Sequence, residues 1–249
     1  MHAMNRSPDL PACCTPLGCD WPLPLALPSS VWRSTAFNPA QLTPDDFTRS
    51  GLQLPASIQR SVAKRQAEFL AGRLCARDAV LHLDGTRATP AIGEDRAPVW
   101  PQHISGAITH SQGRAAALVA LKSDWLGLGI DLENMLSLDR AQRLAKEILT
   151  PNELQRMAAG PVEDQALLVT LTFSIKESLF KALYPLVHKR FYFEHAEVQS
   201  WSKDGQVRLR LLTDLSEEWH QGKEIEGQFA LLDGQLLSVV AIRAARAHV

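Results

Sequence analysis

The sequence has few cysteines, no paired cysteine motif and no excess of one charge, and each absence limits what the protein can do. Its four cysteines, Cys13, Cys14, Cys19 and Cys75, form no C-x-x-C pair. A structural zinc site and a disulfide framework are therefore not expected, and we expect reduced thiols. The formal net charge of −1 does not point to a nucleic-acid partner, and we expect none.

Long apolar runs are also missing. No run approaches the roughly 20 apolar residues that a membrane-spanning helix needs. The most apolar part of the leader, residues 17–27, is interrupted by Asp20 and by prolines, so it does not have the form of a signal peptide. We expect a cytoplasmic protein without a membrane partner.

Several common catalytic motifs are absent as well. The sequence contains neither the G-x-S-x-G of serine hydrolases nor the H-E-x-x-H of zinc hydrolases. The stretch 127-GLG-129 is followed by no third glycine, which excludes a dinucleotide-binding fingerprint there.

What is present is a mixture of helices and strands without a regular βαβ repeat, which indicates an α/β (α+β) fold. Helices are predicted over 58–83, followed by Gly85 as the end signal, and over 138–149. A further helix is predicted to start at the capping sequence 150-TPNE-153. The last one is predicted from Asp164 to Tyr184 and is ended by Pro185. Strands are predicted over 104–111, 115–122, 127–135, 191–201 and 206–213, and in a hairpin over 225–243 that turns at Asp233-Gly234.

Two carboxylates stand out in the stretch 127-GLGIDLENM-135. Side chains alternate between faces in a strand, so Asp131 and Glu133 share one face and repel each other. A magnesium ion would remove this repulsion, since it prefers oxygen ligands. Alternatively, both carboxylates face solvent on a half-exposed strand.

The predicted helix around 173-FSIKESLFKAL-183 carries Lys176, Glu177 and Lys181 among many apolar residues. Glu177 and Lys181 lie one turn apart and share a face, as an ordinary surface ion pair also would. In so apolar a helix, we expect charged residues to line a site. Glu177 could complete a three-carboxylate magnesium site, and Lys181 could contact phosphates bound by the metal.

A set of basic and hydroxyl residues precedes these carboxylates. Arg65 and Arg73 are eight residues apart, near one stripe of the first long helix, and Arg96 lies in a Pro-rich loop. The sequence 109-THS-111 is predicted as a turn at a strand end that offers two hydroxyls and the His110 ring. Together these groups suit a ligand with several phosphates, which arginine matches geometrically.

The ordered set of 109-THS-111, 129-GIDLE-133 and 173-FSIKESLFK-181 resembles the signatures of the Sfp-type 4′-phosphopantetheinyl transferases. The helix 68-EFLAGRLCAR-77 and the loop 96-RAPVWPQHISGAITHS-111 are most similar to the branch that includes enterobactin synthase component D. The resemblance spans about Arg65 to Ala182. It departs from the family pattern at Phe173, where tryptophan is an alternative.

The resemblance implies two similar α/β halves about a pseudo-twofold axis, here residues 1–123 and 124–249, with coenzyme A between them. It implies transfer of the phosphopantetheine arm of coenzyme A to a serine hydroxyl of acyl, peptidyl or aryl carrier proteins, releasing adenosine 3′,5′-bisphosphate. Siderophore synthesis is the favoured setting, with fatty-acid, polyketide and other carriers also open, and we expect a monomer.

The resemblance also implies roles for individual residues. Asp131, Glu133 and Glu177 would bind Mg²⁺, and Lys181 would contact the phosphates. Coenzyme A would be held by Arg65, Arg73, Arg96, Thr109, His110 and Ser111, with Asp131, Lys176 and Lys181 also at the cofactor.

Three groups remain candidates for the general base: Glu177, a metal-bound water and Lys176. Two other functions also remain open at this point, a magnesium-dependent hydrolase of a nucleotide pyrophosphate and an inactive module that binds carrier proteins.

Overall fold

The computed structural model describes residues 10–245 and divides them into two compact units. The first contains residues 10–20 and 30–120, and the second contains Trp21–Ser29 and residues 121–245. Each unit combines a sheet with helices, so the predicted α+β fold in two halves is confirmed. Within residues 10–245, no helix is both long and apolar enough to cross a lipid bilayer.

The helices and strands follow in chain order. The helices are α1 (Asp46–Arg49), α2 (Ala56–Gln59), α3 (Ala63–Asp84), α4 (Leu138–Ile148), α5 (Pro151–Ala159) and α6 (Gln165–Val187). The strands are β1 (Ser30–Ala36), β2 (Ala91–Ile92), β3 (Pro98–Val99), β4 (Ile104–Ser111), β5 (Arg114–Leu121), β6 (Trp125–Asn134), β7 (Ala196–Trp201), β8 (Gln206–Leu211), β9 (Glu224–Leu232) and β10 (Gln235–Arg243).

The first unit is built on a three-stranded sheet of order β1-β5-β4, against which α3 packs. The helix ends at Gly85, whose φ of 79° suits the left-handed position after a helix. The prediction of one continuous helix over 58–83 was wrong, because α2 ends at Gln59 and α3 begins at Ala63. The side-chain amide of Gln66 donates to the carbonyls of Gln59 and Ser61, and this contact stabilises a break between α2 and α3.

The second unit is a five-stranded antiparallel sheet of order β6-β10-β9-β8-β7, and α6 lies across it. The predicted β9–β10 hairpin is confirmed, with φ of 50° at Asp233 and 79° at Gly234. Two positive φ values in a two-residue loop match the twist of the strands that it joins. The core of this unit is a cluster of buried apolar side chains that includes Leu171, Ile175, Leu179, Phe229, Leu236 and Val240.

Helix α6 runs through Pro185, which the sequence predicts as its end. Proline removes one backbone donor, but Leu186 and Val187 pack against the core beyond it and carry the helix one turn further. The helix ends at His188, which has a φ of 49° and donates its N–H to the carbonyl of Tyr184.

Candidate functional site

Strand β6 approaches α6 through two glycines. A Cβ atom on Gly127 would lie 2.3 Å from the carbonyl oxygen of Ala182, and one on Gly129 would lie 1.8 Å from that of Ser178. Only residues without a side chain allow this contact. Side chains alternate along a strand, so Asp131 and Glu133 continue the same face, toward the helix. Gly127 and Gly129, which have no predicted role in the sequence, set the distance between strand and helix.

Asp131 forms an ion pair at this strand–helix junction. Its Oδ1 lies 2.7 Å from Nζ of Lys181, which also donates to the carbonyl of Ile130 at 2.9 Å. The Asp131 side chain is only 7% exposed, whereas that of Lys181 is 29% exposed. The second carboxylate oxygen of Asp131, Oδ2, is buried and has no hydrogen-bond partner among residues 10–245. A buried carboxylate oxygen in this state favours an additional positive ligand.

Glu133 and Glu177 are half-buried and both carry perturbed pKa values. Burial, followed by the negative charge of Asp131, raises the pKa of Glu133 to about 7, and Glu177 adds to this effect. Burial is also the main reason that the pKa of Glu177 is raised, with Lys181 opposing and Asp131 assisting. The three carboxylates therefore interact electrostatically, as the sequence analysis requires of a shared site.

The carboxylates do not form a ready-made metal centre. In the part of the chain that the structure describes, no group of three or more His, Cys, Asp or Glu side chains is arranged to hold a metal ion. Lys181 already neutralises one oxygen of Asp131. The donor chemistry nevertheless fits Mg²⁺, since this ion prefers carboxylate oxygens and one buried oxygen of Asp131 lacks a partner among the described residues.

A buried set of serines fixes α6 on the sheet. The hydroxyls of Ser174 and Ser178 each lie 2.8 Å from that of Ser238 on β10. Ser238 is also the cross-strand partner of Asp131. These residues were missed at the sequence level because lone serines in apolar segments carry no motif.

Lys176 does not lie with the other charged residues of its motif. The residue is 3% exposed, and its Nζ donates to Glu153 Oε2 at 2.7 Å and to the carbonyls of Ile148 and Phe193, each at 3.0 Å. All three ammonium hydrogens are thereby used inside the protein. This corrects the assignment of Lys176 to coenzyme A binding or to the general base.

In the first unit, Arg65 and His110 are brought together. Nη1 of Arg65 lies 2.9 Å from Nε2 of His110, and the Glu68 carboxylate lies within 3.7 Å of both side chains. Glu68 comes from the same helix and was not named from the sequence. Its charge offsets part of the positive charge of this cluster.

Arg73 is buried on the same helix, two turns after Arg65. It is 7% exposed, its guanidinium stacks over the Phe69 ring at 4.8 Å, and its Nε has no partner among the described residues. Burial, with Arg65 adding to the effect, lowers the pKa of Arg73 to about 10. A buried guanidinium nitrogen that lacks an acceptor is suited to an anionic ligand.

The other residues predicted to bind coenzyme A do not form one cluster. Thr109, His110 and Ser111 lie within strand β4, not in a turn, so Thr109 and His110 point to opposite faces. Thr109 is 3% exposed. Arg96 is exposed, with a φ of 70°, in the tight turn where its N–H donates to the carbonyl of Gly93. The predicted turn at Thr109–Ser111 was therefore wrong, and the binding of one ligand by all three side chains stays a prediction.

Comparisons with known proteins match both halves of the chain. Residues 54–120 match the 4′-phosphopantetheinyl transferase N-terminal domain, and residues 127–238 match the 4′-phosphopantetheinyl transferase superfamily. The second match contains Asp131, Glu133, Glu177 and Lys181.

Curated relatives agree. The chain is 37% identical to enterobactin synthase component D of Escherichia coli (strain K12) over 169 residues, covering 67% of this chain and 76% of that protein. It is 31% identical to 4′-phosphopantetheinyl transferase Npt of Nocardia iowensis, covering 74% and 85%.

A third relative is similar over a longer stretch. Identity to 4′-phosphopantetheinyl transferase Svp of Streptomyces mobaraensis is 33%, covering 88% of each chain. The chain therefore belongs to the 4′-phosphopantetheinyl transferases, and it transfers the 4′-phosphopantetheinyl group of coenzyme A to carrier proteins.

Proposed function

We propose that the junction of β6 and α6 is the catalytic centre of this transfer, with Asp131, Glu133 and Glu177 as ligands of a magnesium ion. The observation that carries the proposal is the buried, unpartnered Oδ2 of Asp131 on the strand face that meets α6. When bound there, Mg²⁺ would supply positive charge to the pyrophosphate of coenzyme A.

The protein's own residues account for the remaining chemistry. Lys181 is partly exposed beside Asp131, and in this proposal it would contact the phosphates of coenzyme A. A serine oxygen of the carrier forms a bond to the phosphorus next to pantetheine, and the bond to the bridging oxygen breaks, releasing adenosine 3′,5′-bisphosphate. The serine proton passes to a carboxylate, for which Glu177 is our candidate, since it lies on α6 one turn before Lys181 at the proposed centre. Lys176 is excluded from this role because its donors are already engaged.

The basic residues of the first unit are our candidates for holding coenzyme A. Arg73 is the strongest, because its buried Nε lacks an acceptor within the described chain, and Arg65 with His110 follows. Arg96, Thr109 and Ser111 are kept as contributors, although the structure gives them no shared geometry with Arg73. Phosphate oxygens match the donors that arginine presents.

For the acceptor, we propose carriers of siderophore-type synthases, with aryl and peptidyl carriers before fatty-acid carriers. This choice rests on the similarity to enterobactin synthase component D. A panel of purified aryl, peptidyl and acyl carriers, each incubated with the enzyme and coenzyme A, ranks them by rate. Faster modification of the fatty-acid carrier than of the aryl and peptidyl carriers would overturn the choice.

The catalytic centre is tested by mass spectrometry of a carrier incubated with coenzyme A, with Mg²⁺ or with EDTA. We expect a mass gain of one phosphopantetheine only with the metal. Asp131→Asn should lower the rate by about 100- to 1000-fold, as loss of one charge-stabilising group does in other sites. The control is Asp139→Asn, at an exposed carboxylate in the first turn of α4.

Two outcomes would count against this assignment. If Asp131→Asn transferred the group at the wild-type rate, Asp131 would have no role in the catalytic centre. Metal-dependent breakdown of coenzyme A at an unchanged rate without any carrier would indicate that water, and not a carrier serine, is the acceptor.

A further inference from the structure

The buried ion pair between Glu153 on α5 and Lys176 on α6 has no part in the proposed reaction. Its two side chains are 3% and 2% exposed and lie 2.7 Å apart. Lys176 immediately precedes Glu177. We propose that this pair is a positioning device that sets the orientation of Glu177, an inference that rests on the proposed role of Glu177 as a metal ligand.

Glu153 is held at both of its oxygens. Oε2 accepts from the Thr150 N–H at 2.7 Å, which completes the capping box of α5, and it also accepts from Lys176. Oε1 accepts from the N–H of Val198 on β7 at 2.6 Å. The carboxylate therefore cannot turn without breaking a contact to a helix start or to a strand.

Lys176 connects further elements through its other two hydrogens. One is donated to the carbonyl of Ile148, at the end of α4 where the helix dipole favours a cation. The other goes to the carbonyl of Phe193, just before β7. Three helices and the approach to one strand thus meet at a single ammonium group.

The pair holds a different side of α6 from the serines. At about 100° per residue, Lys176 lies on the face of α6 opposite to Ser174, and Glu177 lies between the two faces. Ser174 and Ser178 bind Ser238 on the sheet side. The helix is therefore fixed from two directions, and both sets of contacts restrict rotation of the backbone that carries Glu177.

An apolar contact of equal volume would also fill this space, but it would not have the same effect. Buried ion pairs stabilise proteins poorly because both charges lose their hydration. Their hydrogen bonds, however, have direction, and here five of them converge on two side chains. Hydrogen bonds with a fixed direction set the position and rotation of a helix, whereas apolar packing tolerates small shifts.

The test compares two substitutions of the same kind. Glu153→Gln keeps the shape and the capping ability of the side chain but removes its charge. The matched control is Glu197→Gln, another buried carboxylate nearby, which accepts from Thr150, Asn152, Arg156 and Gln199 and shares no hydrogen bond with α6 within residues 10–245. Both variants should lose stability, which urea unfolding measures.

The variants should differ at the metal. Direct titration of Mn²⁺ in the presence of coenzyme A, followed by the EPR signal of the free ion, should show affinity reduced by about 10- to 100-fold in Glu153→Gln. Its kcat should fall by a similar factor while KM for coenzyme A stays within about twofold. Glu197→Gln should match wild type in Mn²⁺ affinity and kcat.

A second variant covers the case in which Glu153→Gln does not fold. Glu153→Gln/Lys176→Met removes the charge from both sides of the pair, and it should show the same loss of Mn²⁺ affinity. Wild-type Mn²⁺ affinity and kcat in a folded variant without the ion pair would overturn the inference. Glu177→Gln separates the two ideas: if it too binds Mn²⁺ normally, the proposed metal site fails; if it alone loses binding, only the positioning role fails.

Discussion

In both halves of the molecule a long helix meets a sheet through glycine, but the partner atoms differ. In the first unit Gly72 of α3 faces a side-chain methyl of Ile108, and an added Cβ would lie 2.9 Å from it. In the second unit Gly129 of β6 faces the backbone carbonyl of Ser178. A side chain can move aside, whereas a helix carbonyl moves only with its helix.

The charged clusters of the two units differ in the same way, one depending on side chains and the other on the main chain. The cluster of the first unit depends on long arginine side chains, one of which reaches His110 and another of which stacks on Phe69. The cluster of the second unit depends on a short aspartate, directly attached to a strand that touches the helix backbone. We infer that the acidic site is held by the main chain and the basic site by side chains.

The largest test of this contrast is the pair Gly129→Ala and Gly72→Ala. Gly129→Ala should lower the free energy of unfolding by about 3 kcal/mol, because α6 must move away from β6. Gly72→Ala should change it by less than about 1 kcal/mol, since the methyl contact is offset by the better helix propensity of alanine. Urea unfolding measures both, and equal losses would contradict the contrast.

A smaller effect is expected from Arg73→Gln in the first unit. Removing a buried charged donor should raise KM for coenzyme A by about tenfold, with kcat nearly unchanged. Arg33→Gln is the control, because Arg33 is already paired with Asp78 at 2.6 Å. Steady-state kinetics with a fixed carrier measures both variants. A tenfold fall in kcat at constant KM would instead assign Arg73 to the chemical step.

A separate prediction concerns the dependence of stability on pH. In the metal-free protein the folded-state pKa of Glu133 is about 7, above the ordinary value of 4.5. Folded protein therefore keeps a proton that unfolded protein has lost, and stability should fall as pH rises from about 4.5 to 7. Thermal unfolding in EDTA at pH 5 and pH 7.5 measures the decline.

Two variants separate the halves in this measurement. Glu133→Gln should flatten the decline, although Glu177 keeps part of it, since its pKa is raised as well. Arg73→Gln should leave the decline unchanged, because Arg73 titrates near pH 10. An identical decline in Glu133→Gln and wild type would show that this carboxylate is not perturbed.

Much of the second half could be predicted from local sequence. The hairpin turn at Asp233-Gly234 and the capping box at Thr150 and Glu153 are confirmed, because each depends on residues only a few positions apart. The shared face of Asp131 and Glu133 follows from strand alternation in the same way. Features that depend only on neighbouring residues can therefore be predicted from a single sequence.

The errors involve contacts between distant residues. Lys176 and Lys181 belong to one motif, and only their partners, Glu153 and Asp131, distinguish a buried structural lysine from a partly exposed one. The helix passes Pro185 because of packing in the core, and α3 starts late because of a side-chain amide. None of these contacts has a sequence signal at fixed spacing.

The segment Trp21–Ser29 has a consequence for folding during synthesis. The chain leaves the first unit after residue 20 and contributes this segment to the second. The Leu25 backbone bonds the side chain of Gln228, 203 residues later, and the carbonyl of Pro28 accepts from the indole of Trp125, 97 residues later. Domains usually fold in order as they leave the ribosome. Here an early segment must wait for nearly the last strands of the protein, so the second unit is completed only when translation is almost finished.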